Sequence, residues 1–523
     1  MSHHSTKNNI KNILAETLSS LGIINTCIII EYPDNQDHGH YSSPIAMSLA
    51  RDLKKNPRVI AEEIHTLIKD NKMFDKVEIA GAGFLNFFLS ESYVQSKLSQ
   101  ILTDSCFGKN KSLANQNILL EYISANPTGP LHIGHGRWAA VGDSLSRLLK
   151  FSGAMVFREF YVNDAGVQIA HLRASVEALQ QGKEVPEDGY RGSYVQALAE
   201  EVSKTGIAPE ILMQDSQRQT LIAFRTEFDQ WFSEKSLHID NTMATTFTEL
   251  EQKKSTYLQD GALWFESTEY SKDDKDRVIV KSDGDFTYFA SDIAYHRNKI
   301  QRGFPILINI LGFDHHGYVE RIKAAVKVLG GDLTVLLGQM VNLFRNNEPV
   351  RMSKRTGDMI TLDEVIEEIG TDATRYLLLR RPMNSTVDFD LEIAKTSSND
   401  NPVFYIQYAH ARIASILRNT TKKAEFISFA HHDEKSLLLE IIKFEDLILD
   451  LAHTYELNKI PNYLEGLAGI FHRFYRNCRI IDDTQESSRL AICQATKNII
   501  RQGLELLGVS APEIMKGVPN NEA

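Results

Sequence analysis

His132 and His135 stand three residues apart in Leu131-His-Ile-Gly-His-Gly136, and two imidazoles at that spacing share one face of a helical turn. Both can donate toward an anion already attracted by the unpaired N–H groups and positive end of a helix. Gly134 between them leaves no side chain in the way, so a flat ring such as adenine can lie on the backbone there. Far downstream, in Arg351-Met-Ser-Lys-Arg-Thr-Gly357, Lys354 offers a point charge beside the small donors Ser353, Thr356 and Gly357, a set suited to a polyphosphate.

The flanking patterns say which elements must carry these groups. Leu119, Leu120, Tyr122 and Ile123 form the apolar run of a buried strand, Pro127, Gly129 and Pro130 break it, and Trp138 to Phe151 has helical spacing. The histidines therefore fall in the first turn of a helix that follows a strand. The lysine stretch lies between an expected hairpin, Val341 to Arg351, and a helix announced by Thr361 and Glu364 at capping-box spacing and closed by Gly370.

Residues 1–110 alternate helical and strand patterns: helices at Ile10 to Leu21, Ile45 to Leu53 and Pro57 to Lys69, and strands at Cys27 to Glu31 and Gly83 to Leu89. This predicts a small α/β module. Residues 111–384 read as a doubly wound, Rossmann-like parallel sheet whose ligand lies at the carboxyl ends of the strands, with a polar helical insertion at about 168–256. Residues 385–523 become an all-helical bundle after Pro402, with helices expected at Ala409 to Arg418, Glu434 to Thr454, Ile460 to Ile481 and Ser488 to Leu507. On the third of these, His472, Arg473, Arg476 and Arg479 recur among Phe471, Phe474 and Tyr475, a face that can bind phosphates and stack bases.

Composition limits the alternatives. A chain of 523 residues with 42% hydrophobic residues has room for about three cored domains. Its four cysteines include no C-x-x-C pair, which argues against zinc and for a reducing compartment. No apolar run approaches membrane-spanning length. A net charge of −11 excludes indiscriminate coating of nucleic acid and leaves room for local basic surfaces. The sequence thus leads to a soluble, cytoplasmic protein with no membrane contact.

The pairing of His-Ile-Gly-His with Met-Ser-Lys resembles the two signatures of class I aminoacyl-tRNA synthetases. The segments Ser124-Ala-Asn-Pro-Thr-Gly-Pro-Leu-His-Ile-Gly-His135, Glu159-Phe-Tyr-Val-Asn-Asp-Ala-Gly166, Asp260-Gly-Ala-Leu-Trp-Phe265, Asp285-Phe-Thr-Tyr-Phe-Ala-Ser-Asp-Ile-Ala-Tyr-His296, Gly312-Phe-Asp-His-His-Gly-Tyr318 and Asn401-Pro-Val-Phe-Tyr-Ile-Gln-Tyr-Ala-His-Ala-Arg412 narrow it to the bacterial arginyl-tRNA synthetases. It departs from that family at His40, where an acid is expected, at Arg351 in place of Lys, and at Trp138 in place of a small residue. The resemblance implies an ATP-dependent ligase, working as a monomer, that takes L-arginine, ATP with Mg²⁺, and tRNA(Arg). It implies catalysis by His132, His135 and Lys354, and ATP binding by these with Gly134, Met352 and Ser353. For arginine it implies Tyr288 and Asp292 at the guanidinium, Glu121 shaping that pocket, and Asn126 and His132 at the amino and carboxylate end. For tRNA it implies Tyr408, Arg412, Arg473, Arg476 and Arg479, with the N-terminal module at the outer corner. Asp314, His315 and His316 are expected to line a substrate pocket rather than bind a metal. Two rival readings are a small-molecule adenylating enzyme of the wider H-x-G-H group and a degenerate synthetase that only binds RNA.

Overall fold

Five parallel strands make the central sheet of the computed structural model, which describes residues 5–515 other than 165, 240, 347, 351–359, 397 and 399. Across the sheet they run Asp332–Gly338, Ile306–Gly312, Asn117–Glu121, Met155–Val162 and Gln230–Ser233. Chain order therefore reverses at Asn117–Glu121, and the crevice opens at its carboxyl end, beside that of Ile306–Gly312. Ile118, Leu119 and Leu120 are buried on successive faces, as a strand covered by helices on both sides requires. The expected insertion is corrected here. Helices Val167–Gln180, Ser193–Thr205 and Pro209–Ala223 do form a subdomain with its own core, but Gln230–Ser233 returns to the central sheet as an edge strand. A second, antiparallel sheet of Thr256–Gln259, Ala262–Phe265 and Arg277–Val280 follows.

In the N-terminal part, helices Thr6–Ser20, Ile45–Leu53 and Pro57–Ile68 pack on a three-stranded antiparallel sheet, with Phe84–Leu89 between Tyr41–Ser43 and Phe74–Ala80. The strand expected at Cys27 to Glu31 does not form. Cys27 and Ile29 are exposed, and only Glu31 bridges to Ser42, so the run buries Ile30 and part of Ile28 in the core without joining the sheet. His40 has a structural place: its Nδ1 accepts the Leu89 N–H at 2.9 Å, a bond that a carboxylate would also accept. Burial lowers its pKa to about 4, helped by Lys435 and Lys443.

The C-terminal bundle is built from Pro402–Arg418, His432–Thr454, Lys459–Asn477 and Glu486–Leu506. Ile406, Ile413, Leu438, Leu464, Phe471 and Ile499 fill its centre. A boundary at 384 is too early, because Val387–Asp390 pairs in parallel with Val341–Arg345 and so stays with the catalytic unit. The module and the bundle meet over Glu445 and Asp446, which accept hydrogen bonds from the backbone N–H groups of Thr6 and Lys7 (both 2.9 Å) and from Lys97 Nζ and Tyr41.

One helix, Ile133–Phe151, is buried on nearly every side, so each polar residue on it must find a partner. Asp143 pairs at 2.5 Å with Arg375, which is fully buried and also donates to the carbonyls of Leu507 and Phe224. Arg375→Met should cost about 3–5 kcal/mol by leaving the buried Asp143 with only the half-exposed Arg147 as a charge partner, read as a lower urea midpoint. Replacing both, Arg375→Met with Asp143→Leu, should recover part of the loss. Equal losses in the two proteins would mean that shape rather than charge holds this joint.

Candidate functional site

The strand Asn117–Glu121 ends in a strained turn. Ile123 and Ser124 both adopt positive φ, 70° and 45°, and for a β-branched residue such backbone costs on the order of 1–3 kcal/mol. The turn is held because the Ser124 hydroxyl donates to Glu121 Oε1 (3.0 Å) and accepts the Tyr161 N–H (3.1 Å). The following loop is gripped by the helical subdomain. Gln217 Nε2 donates to the carbonyls of Asn126 and Gly129, and the Tyr194 hydroxyl donates to that of Thr128. The Asn126 amide itself donates to Gln168 at 2.7 Å.

His132 is the N-cap of helix Ile133–Phe151, and its Nδ1 accepts the Gly134 N–H at 3.1 Å. His135 returns the favour, its Nδ1 accepting the His132 N–H at 3.2 Å. The rings stack, with centroids 3.7 Å apart. With an N–H pointed at each Nδ1, a neutral ring must carry its proton on Nε2, so each histidine presents an Nε2 donor. A Cβ on Gly134 would come within 2.9 Å of His132 Cε1. What the missing side chain admits here is the histidine ring itself.

Met352, Ser353 and Lys354 lie outside the described residues, but both flanks of their loop are fastened to the same helix. On the near side, Arg137 is buried among carbonyls, donating to Gln339 (2.7 Å) and Pro382 (2.8 Å), just before strand Val341–Arg345 and its antiparallel partner Glu348–Pro349. Burial brings the Arg137 pKa down to about 10, which leaves it charged at neutral pH. Trp138, next to it, lies over Gly338 so closely that a Cβ there would meet the indole at 1.8 Å. The bulky residue is accommodated by a missing one. On the far side, Thr361 caps helix Leu362–Ile369 with Glu364 and bridges to His132, and the Leu362 N–H donates to the Leu131 carbonyl at 2.7 Å.

Helix Tyr288–Gln301 sends Asp292, Tyr295, His296 and Lys299 along one face toward the strand ends. Asp292 accepts the Tyr318 hydroxyl. Its pKa rises to about 7, chiefly through desolvation; Tyr318 and Lys299 oppose the rise, and Glu121 and Glu234 add to it. Glu121 is itself buried and paired with Lys299 at 2.5 Å. Glu121 and Asp292 are thus brought together, whereas Tyr288, one turn before Asp292, stands 88% exposed. Glu234, Tyr318 and Lys299 escaped the sequence reading, and only the strand order brings Glu234 here. Asp314, His315 and His316 sit exposed on the short helix Phe313–Tyr318, lining an open cavity of about 550 Å³ with Tyr318 and Arg321.

A second site lies in the bundle. Tyr405, Tyr408, Arg412, His472, Tyr475 and Arg476 line a cavity of about 510 Å³. The Arg412 guanidinium sits 5.0 Å from the Tyr408 ring centre and 4.7 Å from that of Tyr475. Burial, with Arg412 second, lowers the His472 pKa to about 4, so that ring is neutral. Arg473 and Arg479 are absent from this lining. Arg473 pairs with the buried Asp433 of the neighbouring helix at 2.9 Å. The helix ends at Asn477 rather than Ile481, and Arg479 lies beyond it, donating to the Ile481 carbonyl. Among the described residues His431, His432 and Asp433 are spaced for a metal. Asp433, however, already holds Arg473 and Asn477, and His431 is the helix N-cap.

A parallel sheet read at its switch point, with paired histidines on the first helix and helix Leu362–Ile369 fastened to them, defines a class I aminoacyl-tRNA synthetase catalytic domain. Family models agree along the chain: the arginyl tRNA synthetase N terminal domain matches residues 8–89, the class I (R) catalytic domain 97–197 and 209–416, and the DALR anticodon binding domain 406–515. An arginine–tRNA ligase of Listeria monocytogenes is 43% identical over 93% of this chain and 94% of its own length, and arginine–tRNA ligase 1 of Halalkalibacterium halodurans is 42% identical over the same shares. A structure titled putative arginyl-tRNA synthetase from Campylobacter jejuni superposes with TM-score 0.75 at 35% identity, covering 82% of this chain and all of that one. The Thermus thermophilus enzyme, at 21% identity and TM-score 0.80 over 98% of this chain and all of its own, shares the fold. The chain belongs to the arginyl-tRNA synthetases, ATP-dependent ligases that join arginine to tRNA.

A Cβ on Gly136 would reach within 2.7 Å of Leu362 Cδ1, at the point where the lysine loop is tied back to the histidine turn. Gly136→Ala should therefore displace that anchor and slow ATP–pyrophosphate exchange by about a hundredfold with little change in melting temperature. Unaltered exchange would show that the anchor does not position the loop.

Proposed function

We propose that arginine is selected between Asp292 and Glu121, with Tyr288 closing on the guanidinium and with Asn126 and His132 at the amino and carboxylate end. The observation that carries this is a desolvated Asp292 that feels the charge of buried Glu121 at the end of the switch-point strand, Glu121 being already matched internally by Lys299. A planar guanidinium is recognised best by a carboxylate that accepts paired hydrogen bonds. The Nε2 donors of His132 and His135, and Lys354, act on the ATP phosphates, with Gly134, Met352 and Ser353 around the nucleotide. The amino-acid carboxylate attacks the α-phosphate directly, so the chain's task is alignment and stabilisation of charge moving onto pyrophosphate. Mg²⁺ enters with ATP as part of that substrate, and no zinc is needed.

The bundle cavity is the reading surface for unpaired tRNA bases: Tyr408 and Arg412 with Arg476, joined by Tyr405 and Tyr475, offer planar faces and cations together. Arg473 and Arg479 lie outside the cavity but stay more than half exposed beside their acidic partners, and they contact tRNA phosphate. The N-terminal module, residues 1–110, meets the outer corner of tRNA(Arg). The protein works as a monomer in the cytoplasm, away from membranes, and no helix of its described residues is long and apolar enough to cross one.

Asp292→Asn should keep the packing and lose about 3–5 kcal/mol of arginine binding, more than a hundredfold, with ATP binding unchanged and citrulline affected less than arginine. Because the Asp292 pKa is about 7 in the free protein, kcat/KM for arginine should fall as pH drops through that value and the carboxylate takes up a proton. The Asn variant should show no such limb. If it charges tRNA with arginine as well as the parent does, Asp292 is not the anchor. In the bundle, Tyr408→Ala should raise the KM for tRNA at least tenfold, for a lost stack of about 1–3 kcal/mol, and spare the ATP and arginine sites. Equal tRNA affinity in parent and variant would remove the cavity from the interface.

A further inference from the structure

We propose that Lys299 is a positioning residue for arginine selection: it is the internal countercharge to Glu121, whose carboxylate would otherwise oppose ionisation of Asp292 still more. This rests on the assignment of those carboxylates to the arginine pocket. Lys299 is fully buried, and its ammonium lies 2.5 Å from Glu121 Oε2, 3.4 Å from Asn309 Oδ1 and 4.1 Å above the Tyr295 ring centre. The pair is not needed for stability as such, since well-packed apolar residues commonly replace a buried ion pair at no loss.

A network fixes where the ammonium points. His296, held neutral by burial and by Lys299 itself, donates from Nδ1 to the Asp292 carbonyl at 2.7 Å, which leaves Nε2 as an acceptor. That nitrogen takes the Asn309 amide N–H at 3.0 Å. Asn309 must then turn its Oδ1 toward Lys299. Asp292, His296 and Lys299 follow one another along one face of a single helix, so the residue that holds the guanidinium and the residue that balances Glu121 are set by one rigid element.

The remaining groups around the pocket favour neutralisation. Glu121 from the central strand and Glu234 from beyond the edge strand both oppose ionisation of Asp292, and Lys299 favours it. Tyr318 donates to Asp292, and Tyr161 faces Glu234, Asp292 and Glu121 with its hydroxyl protonated. Tyr295 is turned away to Glu159, which Arg302 satisfies. Without Lys299, Asp292 would hold its proton to higher pH, and an arriving guanidinium would have to expel it. With Lys299 in place Asp292 is about half ionised at pH 7, so the substrate meets part of that charge already present.

The test is the pH profile of arginine binding and of kcat/KM in the full protein. Lys299→Met, which keeps the bulk of the stem, should move the acid limb to higher pH by about one unit. It should raise the arginine KM at pH 7 about tenfold and leave the ATP KM unchanged. Glu121→Gln with Lys299 intact should move the limb the other way, because the ammonium then faces Asp292 unopposed. A merely structural lysine would lower kcat or melting temperature without moving the limb. Should Lys299→Met not fold, Lys299→Met combined with Glu121→Gln, which removes both buried charges, is compared with Glu121→Gln alone: a higher limb in the double variant supports the proposal, and an equal or lower limb overturns it. An unmoved limb in folded Lys299→Met also overturns it. Asp292→Asn separates the two ideas: arginine lost there, with an unmoved Lys299→Met limb, refutes only the role of Lys299, whereas arginine retained refutes the pocket and this proposal with it.

Discussion

The ion pair of Asp143 and Arg375 fastens three parts of the chain to one helix. Arg375 reaches the subdomain end through the Phe224 carbonyl and the bundle's last helix through the Leu507 carbonyl, while Asp143 belongs to the helix that starts with the two histidines. A fully buried guanidinium is costly without such partners, so the arrangement is all or nothing. Further along the same helix, Arg137 and Gly136 secure the two flanks of the lysine loop. Its N-terminal end is thereby a fixed point, to which Gln339 on one side and Leu362 on the other are both fastened.

The pocket next to it runs on the opposite economy of charge. Desolvation raises the Asp292 pKa above that of an ordinary carboxyl, so at pH 8 the empty protein holds an ionised group at a higher cost than the unfolded chain does. Linkage gives the sign: a folded-state pKa above the unfolded value favours the folded state while the proton is bound, and that advantage is lost as pH rises through about 7. The empty pocket is therefore a stored cost, and a cation that fills it relieves the cost as it binds. The strained Ile123–Ser124 turn under Glu121 is a second stored cost at the same strand end. Both are local violations of what a stable fold prefers, at the place where substrate is held.

What could be read from the sequence was local. The histidine turn, the Thr361–Glu364 cap and the hairpin before Arg351 are each written within a few residues, and all three are formed. The groups that were missed are long-range. Glu234 comes near enough to oppose ionisation of Asp292 because Gln230–Ser233 joins the central sheet, and nothing in that polar stretch marks it as a strand of the core. Lys299 looks like an ordinary last-turn lysine until strand Asn117–Glu121 is laid against it. The arginines of the bundle show the opposite error. A period of three and four carried Arg479 onto a helix face, but Cys478 is extended and ends the helix before it, while Arg473 follows the period and spends its charge on Asp433. Tyr405, on another helix, completes the cavity instead.

The N-terminal module is joined to the bundle by a form of helix capping supplied from outside. Helix Thr6–Ser20 begins at Ser5, and the N–H groups of Thr6 and Lys7 point at Glu445 and Asp446 of helix His432–Thr454. Carboxylates at the positive end of a helix are favourably placed, yet here burial raises the pKa of both, so the interface keeps them charged only through its donors. Lys97 from helix Glu91–Thr103 and the hydroxyls of Tyr32 and Tyr41 are among those donors. Pulling the module away would strip two adjacent carboxylates of all of them at once. The module and the bundle are thus held as one piece across the width of the molecule, and the two surfaces proposed to meet tRNA keep a fixed spacing that a nucleic acid of defined shape can match.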